Sequence, residues 1–382
     1  MDTIKLSSKL IKFKSITPDN TGTLDYIQEI LMKKKFQCHM LECGTSKIKN
    51  LYASFKGGKG PNLCFAGHTD VVPPGDLKKW KTNPFEPHIT NGRLYGRGAS
   101  DMKTAISSFM VATEIFLEEN KFAFDGTISF LITSDEEGEA EFGTKSLIKW
   151  IKSKKKKIDY CLVGEPTNPN RLGEMIKIGR RGSINFLLEV LGEQGHVAYP
   201  EKADNPIDNL EKIFKELHKP FDSGSKRFQP TKLIITSIDS SNFTSNIIPG
   251  KVEIRFNVRF NDKFNSQQVI NLIKKRIKSV TTKYKLSSKV SGESFFNYSN
   301  ILTDSLVRSI KTVTRCNPIL STTGGTSDAR FISEICPVVE FGLVGKTMHK
   351  VNEMVEIRSI DKLTKIYHQF IKNIFLKNEF NK

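Results

Sequence analysis

Five short stretches put a His or a carboxylate where an apolar run stops or a helix begins. Leu63-Cys64-Phe65-Ala66-Gly67-His68-Thr69-Asp70 ends its run on a His and an Asp, and Pro73-Pro74-Gly75 then stops the strand. A His at such a tip can offer one ring nitrogen to a metal while an Asp two residues on orients it. A plain strand end with a satisfied surface His has the same pattern. Ser134-Asp135-Glu136-Glu137-Gly138 follows the apolar run Thr127–Thr133. Adjacent carboxylates repel, so gathering them at a buried strand tip calls for a cation, whereas a solvated acidic loop needs none. Gly96-Arg97-Gly98-Ala99-Ser100-Asp101 opens a helical pattern, where Ser100 or Asp101 could simply be its N-cap. Gly164-Glu165-Pro166 and Met348-His349-Lys350 each follow a further apolar segment. Together these stretches offer two His and at least three carboxylates with no thiolate, the N/O chemistry that zinc accepts. A two-metal site needs a bridging carboxylate and further ligands on each ion, with one carboxylate left over as base for a water.

Other catalytic patterns fit poorly. Gly96-Arg97-Gly98 lacks the third glycine of a dinucleotide loop. Gly345-Lys346-Thr347 resembles the end of a phosphate loop, but Glu340 stands where its first glycine belongs. No His-Glu-x-x-His or Gly-x-Ser-x-Gly occurs.

The elements that must position these residues read as α/β. Helical spacing covers 2–14, 22–35 and 101–120, and strand-type runs cover 36–41, 51–55, 127–133 and 160–163. Asn91-Gly92 signals a hairpin within 85–95. Strands alternating with helices predict a mainly parallel sheet flanked by helices. From about residue 181 the texture becomes β-α-β-β-α, with strands at 183–191, 233–238 and 252–260 and helices at 206–218 and 266–279. The first texture returns with helices near 301–314 and 359–375. The expectation is a catalytic domain of 1–180 and 293–382, interrupted by a smaller α+β domain at 181–292.

The 382-residue length allows two cores, and 38% hydrophobic with 26% charged residues fits a globular protein. No apolar run approaches the roughly 20 residues of a membrane span. The Met1-Asp2-Thr3-Ile4-Lys5 start lacks a signal-peptide pattern, so the expected location is cytoplasmic. The six cysteines are scattered, with no Cys-x-x-Cys, and read mostly as small apolar residues in a reducing compartment. The net charge of +18 is largely dispersed Lys, densest at Lys152–Lys157. A solvated basic surface is the default reading, and specific nucleic-acid binding is the rival from a different class. An anionic substrate would also benefit from such a field. A non-catalytic metal-binding module is disfavoured by the Glu136-Glu137 pair, because storage has no use for a spare base.

The motifs GHTDVVPPGD, GRGASDMK, DEEGEA, VGEPT, GRRGS, QGHVAYP, TSNIIPG, GGTSDARF and MHKVNE together resemble the dinuclear zinc aminoacylase/carboxypeptidase-type metallopeptidases, over residues from about 4 to 375. The resemblance implies two zinc ions, with cobalt the alternative in one site. His68 and Glu165 would bind one ion, His349 and Glu137 the other, and Asp101 would bridge them. Glu136 would be general base and then proton donor, and Asp70 would orient His68. The inserted domain would serve dimerisation or act as a lid. His196 would reach the partner's site in a homodimer to stabilise an oxyanion, and Asn246 would contribute likewise. Arg180, Ser183, Arg259 and the Gly325-Thr326 turn would hold carboxylates of a succinylated amino-acid substrate. GRRGS, QGHVAYP and GGTSDAR are the more specific part of the match. A related metallo-deacylase or dipeptidase is the nearest alternative. One departure stands out: the family pattern leads to Asn four residues before the last His, and this chain has Gly345.

Overall fold

The computed structural model describes residues 1–19 and 21–376. The chain forms two compact units. The larger comprises Met1–Ile178, Asn297–Ser321 and Ser327–Lys382, and the smaller Gly179–Phe296 with Thr322–Thr326.

The larger unit is built on an eight-stranded sheet. In spatial order its strands are Gln37–Cys43, Ile48–Lys56, Thr127–Thr133, Asn62–His68, Tyr160–Val163, Val338–Glu340, Met175–Lys177 and Ile319–Ser321. The middle four run parallel, the pairings that flank them and the pair Gln37–Cys43 with Ile48–Lys56 are antiparallel, and Ile319–Ser321 pairs parallel with Met175–Lys177, so the sheet is mixed with a parallel heart. The parallel heart follows from burial on both faces, which the continuous apolar runs permit. Alternate residues face opposite ways. Phe65 stacks on Phe109 of helix Lys103–Glu119 at 4.5 Å and meets Tyr367 of helix Ile357–Phe375 at 5.9 Å. On the other face Tyr52 meets Trp150 of helix Thr144–Ser153 at 5.3 Å. Helix Lys103–Glu119 is buried except at Ile115, Glu118 and Glu119. Each such buried aromatic or aliphatic side chain contributes about 1.5–3 kcal/mol. The rigid core beneath the strand tips therefore holds the loops that carry His68, Glu136 and Glu165.

The smaller unit is a four-stranded antiparallel sheet, ordered Lys232–Asp239, Lys251–Phe260, Gly182–Leu191 and Tyr284–Gly292, with helices Leu210–Leu217 and Ser266–Lys278. Ile184, Phe186, Leu188 and Val190 alternate inward, and Phe186 stacks on Phe256 at 4.9 Å. Helix Ser266–Lys278 starts on a capping box of Asn265 and Gln268. Tyr284–Gly292 was not predicted. It is an edge strand with mostly exposed, polar residues (YKLSSKVSG), so it lacks the apolar alternation that marks a strand. The three-residue strands Met175–Lys177 and Ile319–Ser321 are too short to carry a period.

Three of the six cysteines, Cys64, Cys161 and Cys336, are buried, and the other three are half-buried; all six are free thiols. The Lys152–Lys157 run lies on the surface, where Lys156 sits 5.0 Å from the Tyr52 ring and Lys157 pairs with Asp159. No helix among the described residues is long and apolar enough to cross a membrane.

Candidate metal centre

His68 closes its strand and is buried. Its Nδ1 lies 2.9 Å from the Asp70 main-chain oxygen and 3.6 Å from the Asp70 carboxylate. The nearer contact is thus to the backbone. With Nδ1 donating to that oxygen, Nε2 is the nitrogen turned towards the carboxylates, and it offers a lone pair to a metal once it has lost its proton. The Asp70 carboxylate accepts instead from the main-chain amides of Glu136 and Glu137, at 3.1 and 3.0 Å. It therefore ties the tip of one strand to the loop after its neighbour. Asp135 is turned to structural work, accepting from the amides of Ala140 and Phe142 at 3.2 and 3.0 Å.

Asp101 does not cap the following helix, whose N-cap is Met102 and has no side-chain bond. Ser100 does not cap it either, and its hydroxyl donates to the Val344 oxygen at 2.9 Å. Asp101 lies instead between two imidazoles, Oδ1 3.3 Å from His68 Nε2 and Oδ2 3.2 Å from His349 Nε2. Glu165 lies 3.8 Å from His68 Nε2, and Glu137 lies 2.9 Å from His349 Nε2. Donor atoms of His68, Asp101 and Glu137 fall within 4.8 Å of one another, and so do those of His68, Glu136 and Glu165. Seven sequence-predicted positions, His68, Asp70, Asp101, Glu136, Glu137, Glu165 and His349, are therefore brought together in one place.

The profile of peptidase family M20/M25/M40 matches residues 64–373. The chain belongs to this family. A succinyl-diaminopimelate desuccinylase of Wolbachia pipientis is 50% identical to it over 376 residues, covering 98% of this chain and 94% of that one. One of Pelagibacter ubique is 50% identical over 380 residues, covering 97% and 98%. Among solved structures, an M20 metallo-carboxypeptidase of Sulfolobus solfataricus superposes with a TM-score of 0.81 at 19% identity, over 97% of this chain and 99% of that one. A dinuclear metal-binding M20 peptidase of Bacillus subtilis gives 0.71 at 13% identity, over 96% of each chain.

The electrostatics of this M20 centre fit a pair of cations. Hydrogen bonds to Asp101 and Glu137 drive the His349 imidazole up to about 10. Burial works against a charged His68, yet Asp101, Asp70 and Glu136 still raise it well above its usual value. Burial favours a neutral Asp101, but its bonds to His349 and His68 outweigh that and hold the carboxyl well below the usual range. The carboxylates thus draw positive charge onto the two imidazoles, which is the environment a bound divalent ion satisfies. Burial and the neighbouring charges of Glu165 and Asp328 push the Glu136 carboxyl well above the usual range. A carboxyl raised in this way suits proton transfer near neutrality. Burial also lifts Asp70, to about 6.

Sequence reasoning missed the group that shapes the Asp101 loop. The buried Glu353 carboxylate accepts from the amides of Gly98, Ser100 and Asp101 at 3.1, 2.7 and 3.1 Å, and from Arg97 Nη1 at 2.7 Å. Its only sequence signal is an acidic residue four positions after His349. Asp328 was also missed. It is buried, bonded to the Thr144 hydroxyl at 2.7 Å, and acts on Glu136 through its charge. At Gly345 an added Cβ would sit 2.9 Å from the Pro166 oxygen, so the absence of a side chain lets the His349 segment approach the Glu165 loop.

The remaining predicted residues belong to the smaller unit. Arg180 is buried and donates to the Gly325 oxygen at 2.9 Å, which joins the Gly325-Thr326 turn to it. Ser183 and Arg259 are register partners on adjacent strands, and Asn257 donates to the Ser183 hydroxyl at 3.0 Å. His196 and Asn246 are both exposed and adjacent, because the Val197 amide donates to the Asn246 oxygen at 3.2 Å.

Proposed function

We propose that this protein hydrolyses the amide of N-succinyl-LL-2,6-diaminopimelate to succinate and LL-2,6-diaminopimelate, a step of lysine and diaminopimelate biosynthesis in the cytoplasm. The observation that carries the reaction type is the spare carboxylate. Glu136 stands beside a His68–Asp101–His349 cluster that is already furnished with Glu137 and Glu165. The substrate rests on relatives of 50% identity over nearly the whole chain.

In this reading His68 and Glu165 would hold one zinc, His349 and Glu137 the other, and Asp101 would serve both. The ions, when bound, polarise the amide carbonyl and lower the pKa of a water towards neutrality. Glu136 takes that water's proton and returns it to the leaving amine nitrogen, so one group serves as base and then as acid. Asp70 keeps His68 in the correct tautomer through its main-chain oxygen and anchors the Glu136 loop through its carboxylate. Arg180, Ser183, Arg259 and the Gly325-Thr326 turn hold the substrate's carboxylates, for which the guanidinium fork is geometrically suited.

The active form is a homodimer in which His196 and Asn246 serve the partner's site, with His196 donating to the developing oxyanion. Two features favour self-association through the smaller unit. Lys232–Asp239 is an edge strand exposing Ile234 and Ile238, and Phe243 beyond it is 98% exposed. A related deacylase or dipeptidase is the runner-up, and Gly345 is the residue that speaks for it.

The test is a side-by-side assay of succinylated diaminopimelate, acetylornithine and a dipeptide on the zinc-loaded protein. The highest kcat/KM should fall on the succinylated substrate, and a preference for either of the others overturns the assignment. A chelator should abolish turnover and added zinc restore it. Full activity in metal-free protein would end the metal argument.

A further inference from the structure

The larger unit has a second concavity that none of the clustered metal-centre residues lines. It encloses about 690 Å³ between the strand Arg93–Tyr95, the loop at 170–172, segment 343–347 and the start of helix Ile357–Phe375. Five cationic side chains, Arg93, Arg171, Lys346, Arg358 and Lys362, line it against one carboxylate, Glu356. All six are exposed, and none of the five cations has an ion-pair partner among the described residues. Glu174 feels the charge of Arg171, but its carboxylate is engaged by the main-chain amides of Asn170 and Arg171 at 2.9 and 3.2 Å. The floor is apolar, formed by buried Leu172, Leu343 and Val355.

Cations gathered around one cavity repel one another, and among the described residues a single lining carboxylate, Glu356, stands against the five. Three are guanidiniums, whose planar forks match phosphate oxygens two at a time. The volume lies in the range that holds a small organic ligand rather than a bare inorganic ion. An apolar floor under a cationic rim suits a molecule with an uncharged body and a doubly charged end. From these features we infer that the cavity is a binding site for a small organic phosphate, separate from the metal centre. Its wall joins the metal-bearing loop. The Thr347 hydroxyl donates to the Met354 oxygen at 2.9 Å, and Lys346 and Thr347 lie just before His349.

The experiment is calorimetric titration of the zinc-loaded full chain at low ionic strength with adenosine 5′-monophosphate, inorganic phosphate and adenosine. One adenosine monophosphate should bind per chain, at least tenfold more tightly than either fragment. The double variant Arg171→Glu/Arg358→Glu should weaken it tenfold or more. His349→Ala, which disrupts the metal centre, should leave it within twofold. Lys362→Glu, on the exposed side of its helix, repeats the test if the double variant does not fold. Three results would overturn the inference: no binding at millimolar concentration, equal affinity for inorganic phosphate, or binding lost in His349→Ala and kept in the arginine variants.

Discussion

The metal centre of the larger unit and His196 of the smaller one are held in opposite ways. In the larger unit each group at the metal centre is held by another: Asp70 by the Glu136 and Glu137 amides, Asp101 by two imidazoles, its loop by Glu353. In the smaller unit His196 is exposed, and its Nδ1 accepts from the Ala198 amide two residues on, at 3.0 Å. A site that must concentrate like charges has to be organised before its ions arrive, because the repulsion is too large to overcome by late adjustment. A residue that meets its reaction only across an interface can remain in water until then. The difference predicts that changes in the larger unit affect stability and chemistry together, whereas changes at His196 affect chemistry alone.

The sharpest way to break the contrast is Glu136→Gln. It should lower kcat by about 10²–10⁴-fold with the zinc content unchanged, measured by steady-state assay and metal analysis. Retained turnover would place the base elsewhere. Next comes Glu353→Ala, which leaves Arg97 buried without its charge partner and frees three amides. Breaking a buried pair in this way costs about 3–5 kcal/mol, to be read by urea unfolding. A loss below 1 kcal/mol, on the scale of surface substitutions, would mean that the loop does not depend on Glu353. His196→Ala should reduce kcat by about 10²–10³-fold while the unfolding midpoint stays in place. Matching losses of activity and stability would erase the distinction between the units.

The smallest effect concerns Lys103, buried with its ammonium donating to the Phe13 oxygen at 2.8 Å. Burial pushes it down to about 7 from an ordinary 10.5, against the pull of Glu353 and Asp70. The unfolded chain therefore binds more protons than the native one between those values, and stability rises with pH across that window. The slope is at most about 1.4 kcal/mol per pH unit. Lys103→Met should flatten it in unfolding curves collected from pH 7 upward, and an unchanged slope would remove Lys103 as its source.

The parts of this arrangement legible in the sequence were those written in side chains. His68 stood out as a candidate because an apolar run ends on it, and Glu136-Glu137 because paired carboxylates follow such a run, although a plain strand end and a solvated loop would have shown the same patterns. The parallel heart of the sheet was legible from continuous apolar runs. What escaped was carried by the backbone. The Asp101 loop is shaped by its own amides, which every residue has, so nothing in GRGASD points to Glu353. The nearest partner of His68 is likewise the Asp70 main-chain oxygen. The edge strand Tyr284–Gly292 escaped because most of its residues are exposed and polar, so no alternation marks it.

The reach of Glu353 also orders events during synthesis. Asp101 waits 252 residues for the carboxylate that binds its amide. A chain still on the ribosome can begin the His68 strand and its helices early, but the three amides of the Asp101 loop have no Glu353 carboxylate to meet until synthesis has passed residue 353. Truncation before residue 353 would therefore disarm a loop 252 residues upstream of it.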